Sequence, residues 1–267
     1  MPVIQETLNL GFLFMEKNKP IIVVLGPTAS GKTELAVSLA RFTQGEIISA
    51  DSRQVYRGLT IGTGKDLEVY QNGGVPVKYH LIDILNVGEP YSVAHFQYDA
   101  LKAIEKVEAM GQQVIICGGT GLYLDALLRD YEFSRVTDFS NETLKLNREF
   151  VVFGLSPNAE IRRMRCANRL TNRLNNGLVE EVEQLIADGI NPNDLIRLGL
   201  EYKWLVNLVQ GDINRVEFEQ GLTIAIQQFS KRQMTFFRKM ERSGIPIHWI
   251  PDELSLEGKL AFIQSRI

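Results

Sequence analysis

The clearest pattern near the start of the chain is a change from a continuous apolar run to a helical period. Residues 21–25 are all apolar and mostly β-branched, which favours a strand buried on both faces. The run ends at Gly26 and Pro27, and apolar residues then recur at helical spacing over residues 35–42. This segment is therefore predicted to form a strand, a glycine-containing loop and a helix.

Short apolar runs recur along the rest of the chain, with helical patterns between several of them. Further strands are predicted at residues 46–50, 80–85, 113–117, 150–155 and 245–250. Such alternation predicts an α/β fold, in which helices flank a mostly parallel sheet. Residues 157–243 carry almost only helical patterns, so a C-terminal helical elaboration is predicted before the last strand. We expect one domain over residues 19–267, preceded by an extension of residues 1–18.

Composition and charge narrow the class of protein. Of 267 residues, 45% are hydrophobic and 23% are charged, which is typical of a globular chain with a sizeable core. The formal net charge of -3 argues against a uniformly basic nucleic-acid coat but allows a local basic patch. Cys117 and Cys166 give neither a disulfide framework nor a metal-ligand spacing, and no apolar run has membrane-spanning length. We expect a soluble protein of the reducing cytoplasm with no membrane partner.

The loop after the first strand carries the first chemical signal. Gly26, Gly31, Lys32 and Thr33 satisfy the pattern G-x-x-x-x-G-K-[ST], in which backbone amides and a helix N-terminus surround phosphate oxygens. The lysine adds positive charge, and the Thr33 hydroxyl is a candidate ligand of Mg²⁺. The predicted fold is therefore P-loop NTPase-like. The residues expected to bind a diphosphate are Gly26, Thr28, Ala29, Ser30, Gly31, Lys32 and Thr33.

Two aspartates are candidates for chemistry beside the phosphates. Asp83 in HLIDI could organise the metal of a kinase, and capping of the next turn fits it equally well. Asp51 in EIISADSRQVY follows a predicted strand, and the ends of parallel strands point into the crevice that holds the phosphates. Asp51 is a candidate general base, although local sequence alone supports a helix N-cap as strongly.

Several motifs, in one order along the chain, give a resemblance to a known family. They are GPTASGKT at 26–33, ISADSRQVYRGLTIGTGK at 48–65, HLIDI at 80–84, YSVAHF at 91–96, GGTGLYLDALL at 118–128 and FSKRQMTFFRK at 229–239. In addition, RCANRLTNRLNNGLVEEVEQL at 165–185 is similar to an arginine-bearing helix of that family. Over most of residues 19–250 the chain resembles the tRNA dimethylallyltransferases, also called tRNA isopentenyltransferases.

The resemblance implies transfer of a dimethylallyl group from dimethylallyl diphosphate to the exocyclic amine of an adenosine beside a tRNA anticodon. Negative charge develops on the leaving diphosphate, where Lys32, Mg²⁺ and Arg232 of the Lys-Arg-Gln motif would stabilise it. The adenine amine is a poor nucleophile, so Asp51 is expected to accept its proton. Thr120 in GGTGLY is the third expected catalytic residue, in the channel where the flipped base would enter.

Two basic clusters suggest an RNA partner. One is the row Arg162, Arg165, Arg169 and Arg173, whose spacing puts it on one face of a helix, and the other spans residues 231–242. A solvated charged face is the ordinary explanation of such a row. The residues expected to contact tRNA are Ser52, Gln54, Tyr56, Gly121, Arg165, Arg169, Lys231 and Gln233. We expect the protein to act as a monomer.

The chain also departs from the family pattern. About twenty residues separate Asp130 from the predicted strand at 150, so the helical insertion that helps to close on tRNA is expected to be truncated or absent. GTGKD at 62–66 replaces the more usual Gly-Thr-Ala-Lys-Pro. Three alternatives stay open: prenyl transfer to free adenine nucleotides, a small-molecule kinase, and a non-catalytic RNA-binding module.

Overall fold

The structure is a computed structural model that describes residues 19–133 and 148–267. The expected extension at residues 1–18 and most of the shortened stretch before residue 150 lie outside the described residues. Within the described ranges the strands are β1 (Ile21–Leu25), β2 (Glu46–Ala50), β3 (Tyr79–His80), β4 (Val114–Gly118), β5 (Phe150–Leu155) and β6 (Ile247–Ile250). All their pairings are parallel, and they form one sheet in the order β3-β2-β4-β1-β5-β6.

Helices occupy most of the remaining described chain. They are α1 (Lys32–Thr43), α2 (Leu67–Gln71), α3 (Val93–Ala109), α4 (Gly121–Leu128), α5 (Ala159–Asn175), α6 (Leu178–Ala187), α7 (Pro192–Arg197), α8 (Leu200–Val209), α9 (Arg215–Arg242) and α10 (Leu256–Gln264). The predicted α/β fold, a parallel sheet flanked by helices, is confirmed. Among the described helices, none combines the length and apolarity needed to cross a membrane.

The central strands are buried on both faces, which explains their continuous apolar runs. On one face, Val23 belongs to a core that contains Phe96 of α3 and Phe237 of α9. On the other face, Ile22 belongs to a core that contains Leu35 of α1. Alternate residues of β1 therefore serve two cores, and the sheet forms a rigid support for the loops at its carboxyl edge.

Helices α5 to α9 have a core of their own. Its buried members include Leu178, Val182, Tyr202, Leu205, Phe218 and Leu222, together with Val55, Tyr56 and Leu59 from the segment after β2. Because the segment after β2 belongs to this core, the helical layer is held against the carboxyl edge of the sheet.

The strand predicted at residues 80–85 is wrong beyond its first residue. β3 ends at His80, and the backbone then turns at Leu81 and Asp83, whose φ angles are 61° and 57°. Such left-handed angles are incompatible with an extended strand. Leu81 and Ile82 are nevertheless buried, so the apolar pattern indicated burial rather than strand.

The carboxyl ends of three central strands lie side by side. Gly118 is in register with Leu25 of β1 and with Ala50 of β2. A Cβ atom on Gly118 would lie 2.2 Å from the Ala50 carbonyl oxygen, so only glycine allows this close approach. The residues that follow β1, β2 and β4 are thereby brought to one edge of the sheet.

Candidate active site

The loop after β1 has a backbone that favours glycine at both ends. A Cβ atom on Gly26 would lie 2.7 Å from Ser30 Oγ, and Gly31 has a φ angle of 84°. Ala29 is also left-handed, with a φ angle of 59°. No side chain caps the start of α1, a helix of 12 residues, so the amides of its first turn remain available to an anion.

A polar cavity lies in front of this loop. It is lined by Thr28, Lys32, Thr33, Asp51, Arg53, Gln54, Thr63, Gly64, Arg169, Arg173, Glu201, Phe229 and Gln233. Its free volume of about 20 Å³ has room for about one water molecule.

Lys32 and Asp51 line the same cavity. Burial lowers the pKa of Lys32, and the nearby Cys117 and Asp51 oppose this effect. A partly desolvated ammonium group interacts more strongly with an incoming anion than a solvated one, because the local dielectric constant is lower. The cavity thus combines a group suited to phosphate with a carboxylate.

Asp51 closes a turn directly after β2. Its Oδ1 atom accepts the Arg53 N–H at 3.0 Å, and the next helix, α2, begins well beyond this turn. The helix N-cap that local sequence also allowed is therefore not the role seen here. The Ser52 N–H donates to Thr120 Oγ1 at 3.0 Å, which ties the segment after β2 to the segment after β4.

Gln233 of α9 joins the phosphate loop to the end of β4. Its Oε1 atom accepts the Thr28 N–H at 2.8 Å, and its Nε2 donates to the Gly119 carbonyl at 2.9 Å. The residue is 8% exposed, and a Cβ atom on Gly119 would lie 2.6 Å from Nε2. Both polar atoms of its amide are therefore bonded within the protein, whereas an RNA contact was expected from the sequence.

Gln54 and Tyr56 also differ from the expected RNA contacts. Gln54 lines the cavity, where its Oε1 accepts from Ser49 Oγ at 2.9 Å and its Nε2 donates to the Gly64 carbonyl at 3.1 Å. Tyr56 is buried in the helical core, and its hydroxyl donates to the Glu89 carbonyl at 3.1 Å. Both side chains therefore shape the segment after β2 from within.

Helix α5 turns two of its arginines into the cavity. Arg169 donates to Thr28 Oγ1 at 3.4 Å and pairs with Asp66 at 3.1 Å, and Arg173 donates to the Gly62 carbonyl at 3.3 Å. Burial lowers the pKa of Arg173 to about 10, and the neighbouring charge of Arg169 adds to this effect. The four arginines predicted to form one RNA-facing row are therefore divided, because the side chains of Arg169 and Arg173 line the cavity.

Gly64 makes room for both arginines. A Cβ atom at this position would lie 1.8 Å from an Arg173 nitrogen and 1.9 Å from an Arg169 nitrogen. The φ angle of 61° also favours glycine. This is the residue at which GTGKD departs from the family's usual alanine, so the departure has a steric consequence.

Other expected site residues lie outside the cavity lining. Lys231 and Arg232 are exposed on α9, although Arg232 follows Phe229 by about one turn and so lies near the same side of the helix. Arg165 pairs with Asp252 at 3.4 Å. The roles of these three basic residues stay predictions.

Asp83 and Gly121 have structural partners. Asp83 forms an ion pair with the fully buried Lys65, whose ammonium group also donates to the Tyr56 carbonyl at 2.6 Å. This pairing engages the acid that was considered for a kinase metal. A Cβ atom on Gly121 would lie 2.3 Å from the Phe236 ring, so glycine permits close packing of α4 on α9.

The sequence did not assign a role to several residues of the cavity. Arg53 lies two residues after Asp51, inside a recognised motif, and that position was an available signal. Glu201 is 2% exposed and pairs with Arg53 and, at 3.3 Å, with Arg173. Its surroundings in LGLEYKW contain no motif, so nothing local distinguished it from other helical glutamates.

The fold and the cavity define an α/β protein of the P-loop class, with a carboxylate beside the P-loop. The family model described as IPP transferase matches residues 54–149 and 134–240. tRNA dimethylallyltransferase 2 of Bacteroides fragilis is 39% identical over 298 aligned positions, which cover 92% of this chain and 97% of the relative. The chain belongs to the IPP transferase family.

Solved structures agree with this assignment. The tRNA delta(2)-isopentenylpyrophosphate transferase from Staphylococcus epidermidis is 28% identical, with a TM-score of 0.79 over 93% of this chain and 99% of that one. The full-length tRNA isopentenylpyrophosphate transferase from Bacillus halodurans is 25% identical, with a TM-score of 0.80 over 92% of this chain and 94% of that one. The P-loop NTPase-like fold predicted from the sequence is therefore confirmed.

The alignment with the Bacteroides fragilis relative also bears on chain length. Because 92% of 267 residues is about 246, about 50 of the 298 aligned positions hold no residue of this chain. The chain thus lacks residues that the relative has, and the position predicted for the shortening, before residue 150, stays a prediction.

Proposed function

We propose that this protein transfers a dimethylallyl group from dimethylallyl diphosphate to the exocyclic amine of an adenosine in tRNA, next to the anticodon. The observation that carries the proposal is that Lys32 and Asp51 line one cavity in a chain of the IPP transferase family. The phosphate loop receives the leaving group, and the carboxylate receives the proton of the acceptor. The names of the relatives, which are tRNA dimethylallyltransferases and tRNA isopentenylpyrophosphate transferases, support the choice of donor and acceptor.

The leaving group is held by the phosphate loop. When the bond between the allylic carbon and oxygen breaks, the electron pair stays on the diphosphate, where Lys32 and the amides of α1 stabilise the new charge. Among the described residues, no group of three or more His, Cys, Asp or Glu side chains could hold a metal. The Thr33 hydroxyl, which lines the cavity, suits Mg²⁺, because this ion is commonly held by few protein ligands together with substrate phosphates and water. Bound Mg²⁺ would neutralise charge on the diphosphate.

The acceptor side depends on Asp51. Its Oδ1 atom already accepts the Arg53 N–H, which orients the carboxylate and leaves Oδ2 to accept a proton from the amine. The adenine nitrogen forms a bond to the allylic carbon as that proton moves to Asp51. Thr120, whose hydroxyl accepts the Ser52 N–H, keeps this segment in place beside the entering base. We place Ser52 and Gly121 near the mouth of the channel, with Arg165 and Lys231 as contacts for tRNA phosphates.

The test is a transfer assay with purified protein, unmodified tRNA, Mg²⁺ and labelled dimethylallyl diphosphate. We expect label in the RNA and loss of the signal when the metal is chelated. AMP is run in parallel, because the shortened chain leaves free nucleotide as a second candidate acceptor. Label in AMP alone favours that alternative, and no label in RNA beside an active control enzyme contradicts the proposal. Gel filtration would test the proposed monomer, and fractionation of cells would test the proposed cytoplasmic location.

A further inference from the structure

We propose that Arg53 and Arg173 form a second anion-binding group for the diphosphate, and that Glu201 is the positioning residue that holds both guanidinium groups. We call Arg53 and Arg173 the arginine pair. The inference deepens the proposed function and rests on it for the identity of the leaving group.

Glu201 joins two separate parts of the chain. It lies on α8, and its Oε2 pairs with Arg53 Nη1 from the segment after β2. Its Oε1 pairs with Arg173 Nη1 from α5 at 3.3 Å. The arginine side chains are 13% and 12% exposed, and the glutamate side chain is 3% exposed. One largely buried carboxylate therefore fixes two cations at the wall of the cavity.

The arginine pair has hydrogen-bonding capacity that the protein does not use. Arg53 binds Glu201 through Nη1, and Arg173 binds both Glu201 and the Gly62 carbonyl through Nη1. In residues 19–133 and 148–267, the Nε and Nη2 groups of either arginine have no hydrogen-bond partner. A guanidinium group carries five N–H donors, so the remaining nitrogens of the pair can donate to an anion that enters the cavity. Phosphate oxygens match this planar set of donors.

The charges around the cavity support the same conclusion. The cationic lining residues are Lys32, Arg53, Arg169 and Arg173, and the anionic ones are Asp51 and Glu201. Arg169 has a further partner in Asp66, whereas the arginine pair shares a single carboxylate. The remaining positive charge favours an anion with more than one charge, and a diphosphate at the adjacent loop fulfils this condition.

Glu201 is expected to act on turnover more than on ground-state binding. Guanidinium groups fixed before reaction stabilise charge that develops on the leaving oxygen without first reorganising. Replacing Glu201 by glutamine removes this fixed anchor but also removes a negative charge near the diphosphate. These two effects oppose each other in binding, so the loss is expected in kcat.

The first experiment measures binding of inorganic pyrophosphate with Mg²⁺ by calorimetry, without RNA. Arg173→Gln should weaken binding by about tenfold or more, because a charge-assisted hydrogen bond is lost. The control is Arg215→Gln, which removes the same charge from an exposed ion pair with Glu219 on α9 and should bind as the wild type does. Wild-type affinity in Arg173→Gln overturns the anion-binding role of the pair, whatever the activity.

The second experiment measures prenyl transfer by Glu201→Gln, with Glu219→Gln as the exposed control. We expect kcat to fall about tenfold while pyrophosphate affinity changes less than about threefold. In a background that carries both Arg53→Lys and Arg173→Lys, the same substitution should have a much smaller effect, because Glu201 acts through those two arginines. Equal losses in kcat and affinity, or full additivity with that double background, overturn the positioning role.

The two proposals fail in different ways. A wild-type protein that transfers no label refutes the proposed function and with it the role of Glu201 in turnover, while the pyrophosphate experiment still decides the role of the arginine pair. A wild-type protein that transfers label, with an unaffected Glu201→Gln variant, refutes the positioning role alone.

Discussion

The sheet edge and the helical layer build opposite sides of one cavity by different means. On the sheet edge, Gly26, Asp51 and Thr120 are placed by the register of parallel strands, since each comes shortly after a strand end. On the helical side, Arg173 and Glu201 are placed by long-range ion pairs and by the core of α5 to α9. The first kind of placement follows from local sequence patterns, and the second depends on tertiary packing.

The largest loss of activity is expected from a substitution at the carboxyl edge of the sheet. Asp51→Ala should lower kcat about 100-fold or more with pyrophosphate affinity nearly unchanged, as expected for loss of a general base. Asp51→Asn is the matched variant, because an amide oxygen can still accept the Arg53 N–H but cannot accept the amine proton as a carboxylate does. Transfer assays and calorimetry separate the two quantities. Substantial activity in Asp51→Asn contradicts the role of Asp51 as base.

The next effect concerns the cation of the phosphate loop. Lys32→Ala should weaken pyrophosphate binding by about tenfold or more and should also lower kcat, because the ammonium group contacts ground state and leaving group alike. Lys203→Ala on the exposed surface of α8 is the control and should bind pyrophosphate normally. Calorimetry in the presence of Mg²⁺ measures pyrophosphate binding by both variants, and transfer assays measure kcat. An unchanged dissociation constant for Lys32→Ala would rule out the assignment.

A smaller effect is expected where the two sides meet. In Gln233→Glu the carboxylate can still accept the Thr28 N–H, but it cannot donate to the Gly119 carbonyl. Leaving that contact unsatisfied should lower the free energy of unfolding by about 1–3 kcal/mol. Urea denaturation measures this loss, and transfer assays should show reduced activity, since α9 no longer holds the segment after β4. Wild-type stability in Gln233→Glu would show that the amide does not join the two sides.

The smallest effect on activity is expected at the edge of the sheet opposite to the cavity, where β2 begins. Glu46, which begins β2, accepts from Lys78 Nζ at 2.9 Å and contacts His80 Nε2 at 2.5 Å. Burial raises the pKa of Glu46, but these hydrogen bonds outweigh it and hold the pKa below its ordinary value. A depressed carboxylate pKa contributes stability at neutral pH that is lost as the pH falls through the folded-state pKa.

Substitution of Glu46 should therefore separate stability from activity. Glu46→Gln should lower the free energy of unfolding by roughly 1 kcal/mol at pH 7, and the difference from the wild type should shrink below about pH 4. Urea denaturation at both pH values measures this. Prenyl transfer at pH 7 should be nearly unchanged, because Glu46 lies at the end of β2 opposite to Asp51. A difference that grows at low pH would contradict the direction of the pKa shift.

The same contrast explains how much could be predicted from the sequence. The limits of β1, β2 and β5 were predicted correctly, because buried parallel strands give continuous apolar runs between turn residues. Lys32 and Asp51 were expected in one crevice, and the structure brings them together. The ion pair of Arg53 with Glu201 joins residues 148 positions apart, and such a contact leaves no periodic or local signal.

The steric demand at Gly64 has a consequence for sequence variation. A methyl group there would occupy the space of the Arg169 and Arg173 guanidinium groups. Family members with alanine at this position are therefore expected to carry a different residue at one of the two arginine positions, or to direct that arginine elsewhere. A loop glycine and two helical arginines, distant along the chain, would then be inherited together. Replacing the glycine alone would be tolerated less well than exchanging all three residues.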